Sequence, residues 1–405
     1  MKIVHVEDFI HPNAGYQVNM LGRLQVQQGH QVDIVAGEME KIPDILKDFF
    51  GGTDIAKHDE RFRQETGARI HRVPLYGFYS GRAIFHPFKL FRKVRSLKPD
   101  VVFVHSEDTL TGILFILFAR WLPYPLVLDC HMVEMASVNR YRNYFRAFFR
   151  TFITPIILKR EIPLIRVIDS DYVEKSFGIP LRHTHYLPLG TDTDFFQPND
   201  GNGLKVRKEL GLSPDAFVVL YAGKLDEDKG GEFFSETLLK KIQSTTGRAI
   251  EFLIIGNTVG EYGNKVEENF AASENCIKRL PTQRYPDLAG FYQAAELAVF
   301  PRQCSMSFFQ VQACGLPVLF EENEINNIRV GDGNAFKFEP ESIDSFREKL
   351  IWLASQSSAA HKSYSQKARE YSLQGYDFVA IAKQYSEVLR VAVEKWTVSS
   401  RSTRR

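Results

Sequence analysis

The chain alternates between short apolar runs of strand length and longer stretches in which apolar residues recur at helical spacing. The first such unit is the apolar run 2–6, a turn, a stretch with Val18, Leu21 and Leu24 on one face, and a second apolar run at 31–36. This order predicts strand, helix, strand. Further strands are predicted at residues 69–73, 100–105, 125–130, 166–170, 217–222, 250–255, 277–280 and 297–300. Strands that alternate with helices indicate an α/β protein with parallel sheets.

Residues 187–203 interrupt this alternation. They are rich in Pro, Gly and Asn, which is typical of a crossing between two domains. We therefore predict an N-terminal domain at residues 1–195 and a second domain at 204–375. The final helical stretches are predicted at 342–353 and 357–395, with a break near Gly375. A tail rich in Ser, Thr and Arg, which we expect to be disordered, ends the chain at 396–405.

The composition fits two α/β domains, because 405 residues are long for a single core and 44% of them are hydrophobic. A net charge of +2 argues against a dedicated nucleic-acid binder. The four cysteines form no CxxC pair and no zinc spacing, which suits a reducing cytosol. We expect no signal peptide, since an apolar run begins at Lys2, and the apolar segment 112–119 is too short to span a bilayer. The sequence therefore predicts a soluble or peripheral protein.

Residues 301–320 are the main candidate for a functional segment. They follow the predicted strand 297–300 and read as a polar loop, a helix and a stop at Gly315 and Pro317. The helix is expected to begin within Ser305, Met306 and Ser307. Backbone N–H groups at the start of a helix that follows a strand suit a diphosphate. A purely structural strand-helix unit is the alternative.

The segment after the predicted strand 217–222 combines Gly223 with Lys224 and Lys229. Two lysines beside a glycine at a strand end predict a cradle for a diphosphate, whose charge must be neutralised if no metal is present. Two solvated surface lysines are the alternative.

In the first domain, Gly15 lies in the loop after the first predicted strand, where its backbone could approach a phosphate. His131 follows the predicted strand 125–130, and site residues accumulate at the carboxyl ends of such strands. A lone histidine is otherwise more often structural.

Residues 139–160 combine aromatic residues at helical spacing with arginines on another face. Such a helix could lie on an anionic membrane surface or bind a phosphate-bearing acceptor. The alternative is a core helix with a solvated basic back. The residues assigned to a membrane or acceptor contact are Arg142, Arg146, Arg150, Phe145 and Phe149.

Three segments carry a more specific pattern: residues 187–198 (LPLGTDTDFFQP), 223–230 (GKLDEDKG) and 313–318 (ACGLPV). Together they resemble motifs of the GT-B glycosyltransferases of the retaining family 4, the glycosyl transferases group 1. The resemblance extends from residue 2 to residue 393. It implies two doubly wound Rossmann-like domains that face a cleft, with the nucleotide sugar on the second domain and the acceptor on the first. It also implies that the helix at 376–395 packs back on the first domain.

The resemblance implies a metal-independent transfer of a hexose or an N-acetylhexosamine from a nucleotide sugar to a glycan or a lipid-linked acceptor, with no cofactor and no metal. It places His131 near the reacting sugar, Lys224 and Lys229 on the leaving diphosphate, and Asn257 and Leu280 near the nucleotide. The acidic motif positions of the family are occupied here by glutamines. Gln310 would hold the ribose, and Gln303 would reach the sugar.

This loss of both motif acids keeps two alternatives open. One is a non-catalytic or weakened GT-B subunit that binds a nucleotide sugar or a partner, and the other is a nucleotide-sugar epimerase or hydrolase. For the transferase we expect a role in cell-surface polysaccharide biosynthesis and a cytoplasmic location. Peripheral contact with the inner face of the membrane is left open, and the donor base, the sugar and the linkage are not predicted.

Overall fold

The fold was analysed in a computed structural model that describes residues 1–43, 54–79, 82–132, 134 and 140–402. The described residues form two compact units. The first contains the residues up to Leu189 together with those from Val379 onward, and the second is Gly190–Phe378. Each unit is built on a parallel sheet with helices between its strands, which confirms the predicted pair of Rossmann-like domains.

The first unit contains a seven-stranded parallel sheet and a two-stranded antiparallel hairpin. Its strands are β1 Lys2–Glu7, β2 Gln31–Gly37, β3 Arg69–Val73, β4 Leu75–Tyr79, β5 Arg82–Phe85, β6 Val101–Val104, β7 Leu126–Cys130, β8 Leu164–Arg166 and β9 Thr184–Tyr186. The sheet order is β3-β2-β1-β6-β7-β8-β9, and β4 pairs with β5. The chain order therefore reverses between β1 and β6, which pair directly.

The helices of the first unit fill the connections between these strands. They are α1 Gln17–Gln27, α2 Ile55–Thr66, α3 Pro87–Ser96, α4 Leu110–Phe118, α5 Arg142–Phe148, α6 Thr154–Lys159 and α7 Tyr172–Phe177, with a π-helical turn at Phe149–Ile153 and 3-10 turns at Met39–Lys41, Ala119–Trp121 and Leu181–His183. The predicted strand at 166–170 is wrong in position, because β8 ends at Arg166. The Arg166 guanidinium bonds the carbonyl of Ser170, which folds that segment back into a turn.

The second unit is built on a six-stranded parallel sheet in the order β12-β11-β10-β13-β14-β15. Its strands are β10 Phe217–Ala222, β11 Ile250–Ile255, β12 Cys276–Leu280, β13 Leu297–Phe300, β14 Val318–Glu321 and β15 Ala335–Phe338. The sequence FVVLYA of β10 is buried along its whole length, as expected for a central strand with both faces covered. Here the chain order reverses between β10 and β13.

The helices of the second unit run from the crossing segment to the end of the unit. They are α8 Asp200–Leu210, α9 Gly231–Thr237, α10 Gly260–Ala271, α11 Leu288–Gln293, α12 Ser307–Ala313, α13 Glu324–Asn327, α14 Ile343–Ala354 and α15 Ser358–Gly375, with 3-10 turns at Glu227–Lys229 and Tyr285–Asp287. The last helix of the chain is α16, Phe378–Ser402.

The chain leaves the first unit at Leu189 and returns to it at Val379. In the outgoing segment, Asp192 caps a turn, since its Oδ1 accepts hydrogen bonds from the backbone N–H groups of Asp194 and Phe195. In the returning helix, the Tyr385 hydroxyl donates to the carbonyl of Leu187 at 3.1 Å. The helix continues to Ser402, so the expected disorder from residue 396 is wrong up to that residue. None of the described helices is both long and apolar enough to cross a membrane.

Candidate active site

Two loops of the second unit meet where its strand order reverses. Loop 223–230 follows β10 and loop 301–306 follows β13, the two strands between which the order changes. The Arg302 guanidinium donates to the carbonyl of Glu227 at 3.2 Å, so the loops are in direct contact. Ligands of open α/β sheets bind outside the carboxyl ends of strands at such a reversal. The structure therefore brings together the two loops that the sequence predicted to hold a diphosphate.

The loop after β10 holds both predicted lysines on a tight turn. The Asp226 carboxylate accepts a hydrogen bond from the backbone N–H of Lys229 at 3.0 Å and caps the 3-10 turn Glu227–Lys229. Burial lowers the pKa of Lys224 and of Lys229, and the neighbouring carboxylates of Asp226 and Asp228 act against it. Both side chains are half-buried, so their ammonium groups are partly desolvated cations.

Arg329 is a third cation at this place, and the sequence analysis missed it. Its guanidinium lies 5.2 Å and 5.0 Å from the ring centroids of Phe308 and Phe309, at the start of α12. Arg329 also lowers the pKa of Lys229, so the two cations lie close enough to repel each other. Burial raises the pKa of Cys304 to about 11, and Arg329 and Lys229 act against that rise. The sequence does contain a signal for Arg329, because it is the one basic residue in segment 321–332, which is otherwise rich in acidic residues.

Neither Lys229 nor Arg329 has a carboxylate as an ion-pair partner within the described part of the chain. Arg329 donates instead to the carbonyl of Ser305 at 3.4 Å. Like charges that are partly desolvated and close together are stabilised by an anion. The arrangement of Lys229 and Arg329 can therefore bind a phosphate or a diphosphate.

The helix after β13 begins at Ser307, inside the predicted window. The Ser307 hydroxyl donates to the carbonyl of Ala222 at 2.9 Å, and the hydroxyls of Ser305 and Ser307 lie 2.5 Å apart. These bonds tie the start of α12 to the end of β10. Met306 is the residue before the helix, and both it and Gln303 are half-buried in the loop. The donor-binding roles of these four residues stay predictions.

Gln310 is buried within the second unit. Its Oε1 accepts a hydrogen bond from the hydroxyl of Tyr292 at 2.8 Å, and Tyr292 is fully buried. That oxygen is therefore satisfied inside the unit by a core residue. The ribose contact expected for Gln310 stays a prediction, and the structure gives its carbonyl oxygen another partner.

A cavity of about 430 Å³ opens at the carboxyl ends of β11 and β12, and it brings together two of the predicted donor residues. Its lining residues are Gly256, Asn257, Thr258, Val259, Glu267, Arg279, Leu280 and Pro281. Asn257 spans the two loops, because its Oδ1 accepts from the N–H of Thr282 at 2.9 Å. The Arg279 guanidinium donates to the carbonyl of Leu280 at 2.7 Å and pairs with Glu267.

Gly223, a predicted donor residue, lies against Gly256, which lines this cavity. The N–H of Gly223 donates to the carbonyl of Ile255 at 3.0 Å, and Gly256 approaches it from the next loop with a φ of 145°. A Cβ at Gly256 would lie 1.7 Å from the Gly223 carbonyl oxygen, so only glycine fits there. Gly15, the predicted phosphate-facing glycine, is half-buried in the loop between β1 and α1 of the first unit.

His131 lies in the first unit, directly after β7 and near the point where the strand order reverses. Its Nε2 is 3.1 Å from Oδ2 of Asp129, and the same oxygen is 2.8 Å from Nδ1 of His105. The other oxygen of Asp129 accepts from the N–H of Ser106 at 2.7 Å. A buried carboxylate thus holds two imidazoles, of which His131 is the more exposed.

The electrostatics of this group follow from burial and from the two histidines. Burial alone would raise the pKa of Asp129, but His131 and His105 outweigh it and hold the pKa far below its ordinary value. Burial alone would lower the pKa of His131, but the charge of Asp129 and its hydrogen bond outweigh it and raise the pKa. The sequence analysis selected His131 but assigned no role to Asp129, which stands two residues before it, or to His105.

Among the described residues, His105, Asp129 and His131 are also a group that could ligate a metal, since one ligand atom from each lies within 4.8 Å of the others. Each imidazole contact in the group is of hydrogen-bond length, and Asp129 is satisfied by three donors. The expected independence of metal stays a prediction.

The predicted membrane or acceptor residues in 139–160 differ in their burial, and the structure contradicts the assignment for Phe149. Phe149 is fully buried and packs on Phe177 with centroids 4.2 Å apart, and Phe145 is half-buried beside it. The Arg146 guanidinium pairs with Glu134 at 2.6 Å.

The Arg150 guanidinium also bonds within the unit, since it donates to the carbonyls of Ser176 and Lys175 at the end of α7. Arg142 remains on the exposed side. Residue 139, where the predicted segment begins, lies outside the described residues. The aromatic residues on the other face, among them Tyr144 and Phe152, are the exposed ones.

Comparison with protein families gives two matches that together cover most of both units. Residues 14–156 match the family described as "Glycosyl transferase 4-like domain". Residues 216–356 match the family described as "Glycosyl transferases group 1".

Two relatives are similar to parts of the chain. The UDP-Gal:alpha-D-GlcNAc-diphosphoundecaprenol alpha-1,3-galactosyltransferase of Escherichia coli is 26% identical over 65% of this chain and 68% of its own length. The D-inositol 3-phosphate glycosyltransferase 1 of Catenulispora acidiphila is 25% identical over 54% of this chain and 56% of its own length. The match to the second relative thus spans little more than half of that protein.

Two solved structures share the fold over nearly the whole chain. A glycosyltransferase from Rickettsia africae superposes with a TM-score of 0.72 at 13% identity, over 97% of this chain and 98% of its own. Anabaena HepE, solved in complex with UDP and glucose, superposes with a TM-score of 0.70 at 17% identity, over 96% of this chain and 100% of its own.

Proposed function

Because the chain belongs to the glycosyl transferases group 1 of GT-B architecture, we propose that it transfers a sugar from a nucleoside diphosphate sugar to a glycan or lipid-linked acceptor. The proposed transfer retains the anomeric configuration and uses no metal. The role is in cell-surface polysaccharide biosynthesis, on the cytoplasmic side of a membrane. The E. coli relative, whose name specifies a diphosphoundecaprenol-linked acceptor, supports a lipid-linked acceptor here.

The observation that carries this proposal is the pair of Lys229 and Arg329 beside loop 301–306. In the proposed reaction the bond between the sugar and the diphosphate breaks, and negative charge develops on the leaving diphosphate. Two partly desolvated cations at fixed positions stabilise that charge without a metal. Lys224 supplies a third cation on the loop that is in contact with loop 301–306.

The cavity at the ends of β11 and β12 is proposed as the site of the base. Asn257, Leu280 and the carbonyl groups around them supply hydrogen-bonding groups for a planar base edge. Uracil is the base we propose, because the name of the E. coli relative specifies UDP-Gal and HepE was solved with UDP.

His131 is proposed to contact the reacting sugar from the first unit. Asp129 fixes the orientation of the His131 ring. The pKa of His131 is raised, so its imidazolium can donate a hydrogen bond to a sugar hydroxyl. The acceptor's proton then moves to the departing diphosphate, on the same face of the sugar. No protein nucleophile is needed in this scheme.

A non-catalytic subunit is the second candidate, and the position of Gln310 favours it. The family carries a carboxylate at this position, whereas here the Gln310 carbonyl oxygen is bonded to Tyr292 inside the unit. Loss of a charge-assisted bond to the ribose would weaken donor binding. A nucleotide-sugar epimerase or hydrolase would retain donor binding and need no acceptor.

One experiment separates these functions. The purified chain is incubated with a panel of nucleotide sugars, with and without a lipid extract, and the release of nucleoside diphosphate is measured. Release that requires the extract supports the transferase, and release without it supports the hydrolase. Absence of both release and donor binding supports the subunit. Lys229→Ala should abolish most of the release, while Lys208→Ala, which removes an exposed lysine on α8, should leave it unchanged.

A further inference from the structure

The first unit exposes large aromatic and aliphatic side chains on three neighbouring elements. Phe88 of α3 is 83% exposed and Trp121 of the turn after α4 is 70% exposed. Phe152, in the π-helical turn that follows α5, is 60% exposed. Single exposed apolar side chains are normal on a protein surface, but a contiguous patch of them marks an interaction site.

These elements form one continuous surface. Phe91 of α3 packs against Phe118 of α4 with ring centroids 5.6 Å apart, and Phe118 packs against Trp121 at 5.9 Å. The helix α4 also contacts the π-helical turn and α6. We call this surface the basic aromatic face and define it by Phe88, Arg92, Phe118, Arg120, Trp121 and Phe152.

The charge of this face has one sign. Residues 66–99, which include α3, contain no Asp or Glu, and Lys89 and Arg92 are exposed there. Residues 109–160, which include α4 to α6, contain only Asp129 and Glu134. Asp129 is fully buried and Glu134 is paired with Arg146, so neither offsets the exposed Arg120. The chain as a whole is nearly neutral, so the positive charge is local.

We infer that the basic aromatic face docks on an anionic lipid surface. Aromatic rings enter the boundary between headgroups and acyl chains, and the surrounding arginines and lysines meet the phosphate headgroups. The charge of one sign favours a lipid bilayer over a second copy of the chain, because two such faces would repel each other. The inference rests on the proposed function only for the reason to dock, which is a lipid-linked acceptor.

The residues that form the proposed lipid contact differ from those that the sequence analysis assigned to a membrane. Phe149 is buried inside the unit, Phe145 is half-buried, and Arg146 and Arg150 bond within the unit. The outward residues of α5 and the π-helical turn form only one edge of the face. Its largest exposed rings, Phe88 and Trp121, come from elements that the sequence analysis did not assign to a membrane.

The test is flotation of the full chain with two kinds of vesicle, one of phosphatidylcholine alone and one of phosphatidylcholine mixed with phosphatidylglycerol. We expect the chain to float with the anionic vesicles only, and salt to weaken binding. Arg120→Glu should weaken the partition at least fivefold, since each cation near such a surface contributes about that factor. Trp121→Ser should weaken it about tenfold.

Matched controls come from the second unit. Trp352→Ser removes another exposed tryptophan, and Lys362→Glu reverses an exposed charge on α15. Both should float like the unmodified chain, and circular dichroism should show that all four variants are folded. Because flotation needs neither donor nor turnover, it is independent of whether the chain transfers a sugar to a detergent-dispersed acceptor.

Three results would overturn the inference. The unmodified chain could stay in solution with both kinds of vesicle, or the face variants could float as well as the controls. Sedimentation analysis could instead reveal a dimer that Trp121→Ser dissociates, in which case the face is a contact between two copies.

Discussion

Nε2 of His131 and Nδ1 of His105 contact the same oxygen of Asp129, at 3.1 Å and 2.8 Å. This buried carboxylate therefore fixes the ring of the one histidine that the sequence assigned to the reacting sugar. It makes Asp129 a positioning residue for His131, and its effect can be tested apart from any effect on the fold.

Asp129→Asn should lower the pKa of His131, because the carboxylate whose charge holds that pKa up is removed. An NMR titration of the histidine ring protons measures this directly, and the pH dependence of transfer should shift to lower pH with it. Asp33→Asn is the matched control, since Asp33 contacts His71 at 2.7 Å in the same sheet. A His131 pKa that is equal in both variants would contradict the positioning role.

The contacts of Asp129 with His131 and His105 also predict how the stability of the chain depends on pH. The folded-state pKa of Asp129 is held below its ordinary value, so its contribution to stability is present above the ordinary carboxyl pKa and is lost as the pH falls through the folded-state value. Urea unfolding should therefore show Asp129→Asn to be less stable than the unmodified chain at neutral pH, with the difference shrinking in acid.

Glu7, at the end of β1, should show the opposite sign. Burial raises its pKa to about 7, and the nearby His105 opposes this. Ionising Glu7 is thus less favourable in the folded chain than in the unfolded one, and stability falls as the pH rises from the ordinary carboxyl pKa to about 7.

Glu7→Gln removes this penalty. Urea unfolding should show the variant to be more stable than the unmodified chain at mildly alkaline pH, and equal to it in acid. The exposed Glu348→Gln on α14 serves as a control. A gain of equal size at both pH values would show that the effect is not ionisation.

Lys229→Ala should weaken binding of UDP by about 1.5–3 kcal/mol, the usual contribution of a charge-assisted hydrogen bond. Calorimetric titration with UDP measures this, and Lys208→Ala is the control. Arg329→Ala should have a similar effect, and Arg329→Lys should restore only part of it, because lysine keeps the charge but loses the planar stacking on Phe308 and Phe309. If UDP affinity is unchanged in both alanine variants, the diphosphate does not bind between these cations.

Gly256→Ala should destabilise the second unit severely, because the added Cβ would lie 1.7 Å from the Gly223 carbonyl oxygen. We expect a loss of at least about 3 kcal/mol in urea unfolding, the upper part of the range for overpacking. Gly211→Ala is the matched control. Gly211 also has a positive φ, 68°, but no atom within 4 Å of its Cβ position, so it should lose only about 1–2 kcal/mol. Equal losses would show that backbone strain, and not the contact with Gly223, sets the requirement.

Much of the candidate site could be predicted because its parts are local in sequence. Lys224 and Lys229 follow one strand, and Ser307 follows another, so strand ends and turn residues place them at one edge of the sheet. Arg329 could not be found in this way. It reaches the site from beyond β14, and only the packing of its guanidinium on Phe308 and Phe309 brings it there.

Residues 139–160 give a second example of a feature that the sequence pattern did not determine. Periodicity separates two faces of a helix, but it does not say which face meets the core. The sequence assigned Phe149 to a membrane or acceptor, whereas the structure packs it on Phe177. Helical spacing was correct, and the orientation was not.

The sequence by itself determined the alternation of strands and helices, the two Rossmann-like domains and the loops after β10 and β13. These features depend on short-range patterns of apolar residues, glycine and proline, which act within a few residues of each other. The tertiary structure alone decided that Arg329 joins Lys229, that Asp129 holds His131, and that Gln310 bonds to Tyr292. Those contacts depend on which elements become neighbours and on which side chains their packing buries, and neither is encoded at a fixed spacing along the chain.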